Sequence, residues 1–291
     1  MRKNVDSHRP TDPDALVVEA WGEGVLVGSL IIMIAITAAN MRRNVLLHKL
    51  IVAELVLAIG HGTFILSHSP IYGWHLSGTA VGLHISTSLH NLIAWMKIRG
   101  FFTSWGTRIY LITLLLAQPF WVLHIYANFA FFNFGKKLFV YTRPLEPLFR
   151  DPWWIFTTCF LLYYIRQGYR TSISRLIRTS PRFGIMLFFM ILSIGFTILD
   201  TASVLGSHYR GPAPGVEPFW KFAFVFKCLS DTVILDDFKT TLDRVRSGCT
   251  YTAPYSGTEQ GPDCFGLYFW LAMSILYTDT TARVPMVRAR S

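Results

Sequence analysis

Seven apolar blocks, separated by polar and basic stretches, run along the chain at roughly 15–40, 49–67, 74–96, 109–133, 153–166, 183–205 and 218–236. Most approach the ~20 residues that carry an α-helix across a bilayer. Runs this long and unbroken argue against a closed barrel, whose strands are short and alternate apolar with polar positions. The pattern predicts an all-α, polytopic transmembrane helix bundle of seven spans within 1–246, followed by a C-terminal tail, 247–291. In the tail, CFGLYFWLAMSILY (264–277) is short for a span and is either an eighth one or an interfacial helix. Local punctuation agrees with the blocks. Asp151-Pro152 predicts an N-cap and a first-position proline for the short, aromatic fifth helix, and Ser180-Pro181 reads the same way before the sixth. Gln118-Pro119 predicts a kink in the fourth.

Composition sharpens this picture. Hydrophobic residues make up 52% of the 291 positions and charged residues only 15%, against about 25% in soluble domains. The formal charge of +10 does not indicate a nucleic-acid partner, because no basic stripe with interleaved aromatics is present. Lys and Arg instead gather between the apolar blocks. They are more frequent on the side that holds 166–182, which places the N-terminus outside or lumenal and the tail in the cytosol. The polar N-terminus leads into a long span without a cleavage signal, so the first span is expected to be retained. Trp74 and Tyr72 suit the headgroup level of an outer turn. Cys159 and Cys228 fall inside apolar blocks as packing residues, and Cys249 and Cys264 lack metal-ligand spacing.

Polar residues inside the blocks carry the functional information, because charge in hydrocarbon costs roughly 2.5–3.5 kcal/mol per residue on insertion scales. Glu19 and Glu23 are four residues apart on one face of the first block. Two like charges near lipid do not both ionise cheaply; the alternative is that both stand in water at the outer interface. Glu54 and His61 lie two turns apart on the second block, flanked by Gly60 and Gly62, which would allow close approach of a neighbour. Glu54 either snorkels to the interface or faces a cavity. In the third block His84, Ser88 and Asn91 share a face, with Thr87 and His90 on another side; such residues also serve as interhelical glue. Trp121, His124 and Asn128 align on the fourth, and Asp200 stands near the outer end of the sixth. The last block contains FVFKCLSDTVILDDFK (224–239). Asp236 and Asp237 fall at its cytoplasmic end near Lys239. Lys227 and Asp231, at i and i+4, are expected to form an ion pair facing the interior.

Several function classes lack their signatures. No His-x-x-x-His on a span, no carboxylate–His pair at i, i+3, and no phosphate loop, nucleophile elbow or aspartate-rich diphosphate motif appears, so no metal and no cofactor is expected. A G-protein-coupled receptor would carry an Asp-Arg-Tyr-like triplet where this chain reads AWMKIRG. A retinal protein with Lys221 or Lys227 as Schiff base would need a carboxylate on the third span. The stretches EAWGEG, NMRRNVLLHKL, HGTF, RDPWW, SPRFG and FVFKCLSDTVILDDFK together resemble a widespread family of fungal integral membrane proteins, over about residues 18–246. Size, span count and intramembrane acids are also similar to the membrane-bound terpene cyclases of meroterpenoid pathways. That likeness implies an isomerase that protonates an alkene or terminal epoxide on a prenylated, lipid-soluble substrate, in the endoplasmic reticulum or another endomembrane. Glu54 and Glu19 are then candidate proton donors, and Asp200 and Asp231 orient or stabilise charge. His61, Asn91, Asn128 and Lys227 contact the acids or the substrate. The other reading is a non-enzymatic seven-span receptor or transporter-like protein.

Overall fold

The computed structural model describes Arg9 and residues 12–41, 44–99, 102–169, 181–206 and 218–232. Ser180, Asp236, Asp237, Lys239, Cys249, Cys264 and the run 264–277 lie outside them. Among the described residues the chain is helical throughout, with no strand. The helices are α1 (Pro13–Asn40), α2 (Leu46–Ile59) with a 3-10 continuation (Gly60–Leu66), α3 (Ile71–Ile98), α4 (Ser104–Leu116) and α5 (Gln118–Phe134). The short α6 (Leu138–Thr142) and α7 (Glu146–Arg150) follow, then α8 (Pro152–Tyr169), α9 (Pro181–Gly206) and α10 (218–232). Among the described residues, four segments are long and apolar enough to cross a membrane: Pro13–Asn40, Leu46–Leu66, Ser104–Phe134 and Gly184–Val204.

Local chemistry explains the boundaries. The Asp12 carboxylate accepts from the Ala15 N–H at 3.0 Å and caps α1, with Pro13 at the first helical position. The α4–α5 break falls at Gln118-Pro119, as the sequence predicts; the Gln118 side-chain amide donates to the Leu114 carbonyl at 3.0 Å beside it. Gly135 ends α5 in the left-handed region, φ 66°, where its N–H returns to Phe131 and that of Lys136 to Ala130. Asp151 does precede α8, but its carboxylate is drawn to Arg150 and Lys227.

The packing inverts the soluble pattern. Ile32, Leu116, Val122, Phe188, Ile191 and Ile198 are all more than half exposed, whereas Glu19, Glu23, Glu54, Asp200, Lys221, Lys227 and Asp231 are buried. Water would reverse this arrangement; hydrocarbon favours it. Together with the four apolar helices, it makes this a helical membrane protein. Cys159, expected to pack internally, is exposed on α8, and Tyr72, expected at the headgroups, is buried against Phe64. Tyr72 and Trp74 both lie in the first turn of α3, and their two-residue spacing puts them on opposite sides of the helix, so Tyr72 faces inward while Trp74 stays exposed.

The helix α3 is central, touching α2, α4, α5 and α8. An apolar core joins α1, α2, α3 and α10 through Leu26, Leu30, Met33, Ile51, Leu55, Ala58, Ile93, Phe224 and Val225. Small residues set the spacing of these helices. A Cβ on Gly73 would meet the Phe132 carbonyl oxygen at 2.7 Å, and one on Gly62 the Val27 Cγ2 at 2.2 Å. Gly60 makes only an ordinary 3.7 Å contact. Gly73→Ala is therefore expected to cost about 1–3 kcal/mol, because the obstructing atom is backbone and α5 must shift. Gly78→Ala, with nothing within 4 Å of its Cβ, is the control and should be neutral or slightly stabilising. Thermal unfolding in detergent reads the difference, and equal transitions for the two variants would contradict the close α3–α5 approach.

Candidate functional site

All eight sequence-predicted site residues are buried, and the fold sorts them into separate groups. The first group centres on Glu54. The residue sits mid-α2 because the block around it is apolar and helical, and it turns toward α3. There, Ser86 and His90, one turn apart, both address it. The Ser86 hydroxyl donates to the Glu54 carbonyl at 2.7 Å, and His90 Nδ1 lies 2.8 Å from Glu54 Oε1. On α10, Cys228 Sγ donates to the same Oε1 at 3.4 Å. Asp231, one turn further, places Oδ2 at 3.7 Å from His90 Nδ1 and forms an ion pair with Lys97 of α3. Glu54 Oε2, His90 Nε2 and the Trp154 indole N–H have no hydrogen-bond partner among the described residues. The Trp154 ring lies against the His90 ring, 5.0 Å between centroids. Unpartnered buried polar atoms are rare in folded proteins, and these three lie on interacting side chains.

Lys227 and Asp231 do not pair with each other. Lys227 bonds Asp151, and Asp231 bonds Lys97. Four residues along α10 bring the two side chains to one face, but cross-helix partners closer to each charged tip take precedence over the weaker Lys-before-Asp order.

Lys227 belongs to a second group, whose hub is Arg150. Its guanidinium reaches Glu146 Oε1 at 3.1 Å, Asp151 Oδ2 at 3.0 Å and Asp200 of α9. Arg143 pairs with Glu146, and His124 Nε2 stands 3.4 Å from Glu146 Oε2. Asn91 donates from Nδ2 to the Arg150 carbonyl at 3.2 Å. Three cations (Arg143, Arg150, Lys227) thus meet three carboxylates (Glu146, Asp151, Asp200) among the described residues, and the charges balance. Burial alone would push the Glu146 carboxyl up. Arg143, the His124 hydrogen bond and Arg150 outweigh it and hold the group well below its ordinary 4.5. Burial likewise opposes the charged forms of Asp151 and Arg150, yet their mutual contact and their further partners hold Asp151 below 3.8 and Arg150 well above its ordinary value. Asp200, Asn91 and Lys227 are therefore engaged in tying α3, α9 and α10 to the segment between α5 and α8.

Glu19 falls in a third group. Lys221 Nζ of α10 lies 2.6 Å from Glu19 Oε1 and 3.0 Å from Glu23 Oε1. The pair of acids thus faces the interior, not water at the interface. His61 is near, its ring 5.7 Å from that of Trp220, and its Nδ1 lies 3.3 Å from Thr79 Oγ1. Asn128 is buried on α5, its carbonyl oxygen without a partner among the described residues.

Sequence reasoning passes over His90, Lys97, Cys228 and Arg150 as site residues. One signal was available: Ser86, His90 and Lys97 are four and seven residues apart, a polar stripe on one face of α3. Nothing comparable marks Arg150, which reads as a loop cation. Comparison with protein-family models, with curated proteins and with solved structures returns no match for this chain.

Proposed function

We propose that the protein is a seven-span membrane isomerase of the terpene-cyclase kind, with Glu54 as its proton donor. The spans are α1, α2 with its continuation, α3, α4–α5, α8, α9 and α10, with the N-terminus outside or lumenal. The observation that carries the reading is the buried Glu54–His90–Asp231–Lys97 cluster. With Lys97 balancing Asp231, the cluster is electrically neutral when one proton is shared by Glu54 and His90. That proton is the reagent an acid-initiated cyclisation needs. The resemblance of the sequence to fungal membrane-bound terpene cyclases supports the same chemistry.

In the reaction, Glu54 delivers its proton to a terminal alkene or epoxide of a prenylated aromatic. The C–O bond of the epoxide opens, neighbouring alkenes close rings onto the cation, and loss of a C–H proton ends the sequence. The proton taken by a carboxylate or imidazole of the cluster balances the one delivered, so the net change is isomerisation. The Trp154 ring beside His90 offers an electron-rich face to a carbocation. A lipid-soluble substrate enters from the bilayer.

The test is Glu54→Gln in microsomes supplied with a farnesylated hydroxybenzoate and its terminal epoxide, with products followed by mass spectrometry. Gln keeps the volume and a hydrogen bond to His90 but carries no transferable acid proton. Turnover is expected to fall by at least about 100-fold, at wild-type protein levels. Full activity in the variant would remove Glu54 and the reading with it.

A further inference from the structure

We infer that the Glu54–His90–Cys228 cluster is also a binding site for one zinc-class divalent cation, and that the metal-bound and proton-carrying forms of the site exclude each other. The second clause rests on the proton-donor reading above; the first does not. Three donor types converge here from three helices: a carboxylate oxygen from α2, an imidazole nitrogen from α3 and a sulfur from α10. All three donor atoms lie within 4.8 Å of one another, and all three residues are buried. Tetrahedral zinc, at about 2.0 Å from O and N and about 2.3 Å from S, sets its donors roughly 3.3–3.5 Å apart. The 3.4 Å O–S separation already fits, and the 2.8 Å O–N separation needs to open by about half an ångström.

Ligand chemistry selects the ion. Sulfur and imidazole favour zinc and its spectroscopic substitute cobalt over magnesium and calcium, which take oxygen. Glu54 Oε2, buried and without a partner among the described residues, supplies a second carboxylate oxygen to the same ion. Asp231 stands beside the site, tethered by Lys97. Charge also balances. A divalent ion with Lys97 offsets Glu54, Asp231 and a Cys228 thiolate, so a bound cation leaves the interior neutral. A ligating carboxylate and thiolate carry no proton, so the loaded site has no acid to deliver. Neither the sequence spacing nor any short motif announces this set, because its members are 36 and 138 residues apart along the chain.

The experiment uses full-length protein in detergent, stripped with a chelator and reloaded with zinc or cobalt. A form with Cys159, Cys249 and Cys264 changed to Ser keeps Cys228 as its single thiol. This form is expected to bind one ion per chain by elemental analysis and to show a sulfur-to-cobalt charge-transfer band. Adding Cys228→Ser should abolish the band, and His90→Gln should weaken binding more than about 100-fold, beyond the scale of outer-shell changes. An absent band in the folded single-thiol form, or binding unchanged by Cys228→Ser, overturns the site. If Cys228→Ser fails to fold, the band in the single-thiol form decides alone. Zinc should also inhibit turnover stoichiometrically. These binding readouts need no substrate, so their failure is distinct from activity that survives Glu54→Gln. The first sinks the metal site, the second the proton donor. Undiminished turnover at full zinc occupancy sinks the mutual exclusion.

Discussion

Replacing Arg150 by Met is expected to prevent accumulation of folded protein. Its guanidinium serves Glu146, Asp151 and Asp200 at once. Removing one partner of a buried pair typically costs about 3–5 kcal/mol, because the remaining charge is left uncompensated. Here three carboxylates lose contacts, and Arg143 and Lys227 cannot reach all of them. A loss at or above that range consumes much of the roughly 5–15 kcal/mol that holds a domain together. Arg150→Lys keeps the charge but not the planar fork, so it should be intermediate. Fluorescence-detected size exclusion of tagged protein reads all three forms, and a monodisperse Arg150→Met peak at wild-type yield would show the hub to be dispensable. Acid probes the same contacts. Glu146 and Asp151 are held below their ordinary values of 4.5 and 3.8. Their contribution is therefore complete above those values and is lost as pH falls through the lower folded-state values. Acid unfolding of the wild type should begin only below about pH 4, and that of Arg150→Lys at higher pH.

The helices were legible in the sequence because hydrophobic blocks and prolines are local signals. The blocks at 15–40 and 183–205 become Pro13–Asn40 and Pro181–Gly206, and Gln118-Pro119 breaks the fourth block where expected. Burial of Lys227 and Asp231 was also legible, since both interrupt an apolar run, whereas the sequence leaves Glu54 open between interface and interior and marks Asp200 only as near a span's outer end. Their partners were not. His90 meets Glu54 across 36 residues, and Lys227 meets Asp151 across 76. Such pairings depend on helix rotation and neighbour order, which hydropathy does not encode. The same limit explains why the sequence pairs Lys227 with Asp231. Helical spacing suggests only intrahelical partners, and α10 turns its two charges toward different neighbours. Tyr72 shows the complementary failure. Its aromatic, amphipathic character fits an interface, but its position on the first turn of α3 points it into the core beside Phe64.

Double-variant cycles separate the observed pairing from the one helical spacing suggests. Asp231→Leu strands Lys97, and Lys227→Met strands Asp151, although Arg150 still compensates Asp151. Asp231→Leu is therefore the more damaging single change, with a loss on the order of 3 kcal/mol. Lys97 is the most exposed member, its side chain 13% accessible, and reaches water more readily once unpaired, which limits the loss. Joining Lys97→Met to Asp231→Leu removes both charges of one pair and should recover most of the folded yield. Joining Lys227→Met to Asp231→Leu removes one charge from each of two pairs, and its losses should simply add, as for independent sites. Thermal unfolding of the singles and both doubles measures the coupling. Strong rescue in the Lys227–Asp231 double, with none in the Lys97–Asp231 double, would reverse the assignment and place the α10 charges against each other. Rescue confined to Lys97–Asp231 leaves Asp231 fixed beside His90 and Glu54, where the proposed proton donor needs a charged neighbour held by a separate lysine.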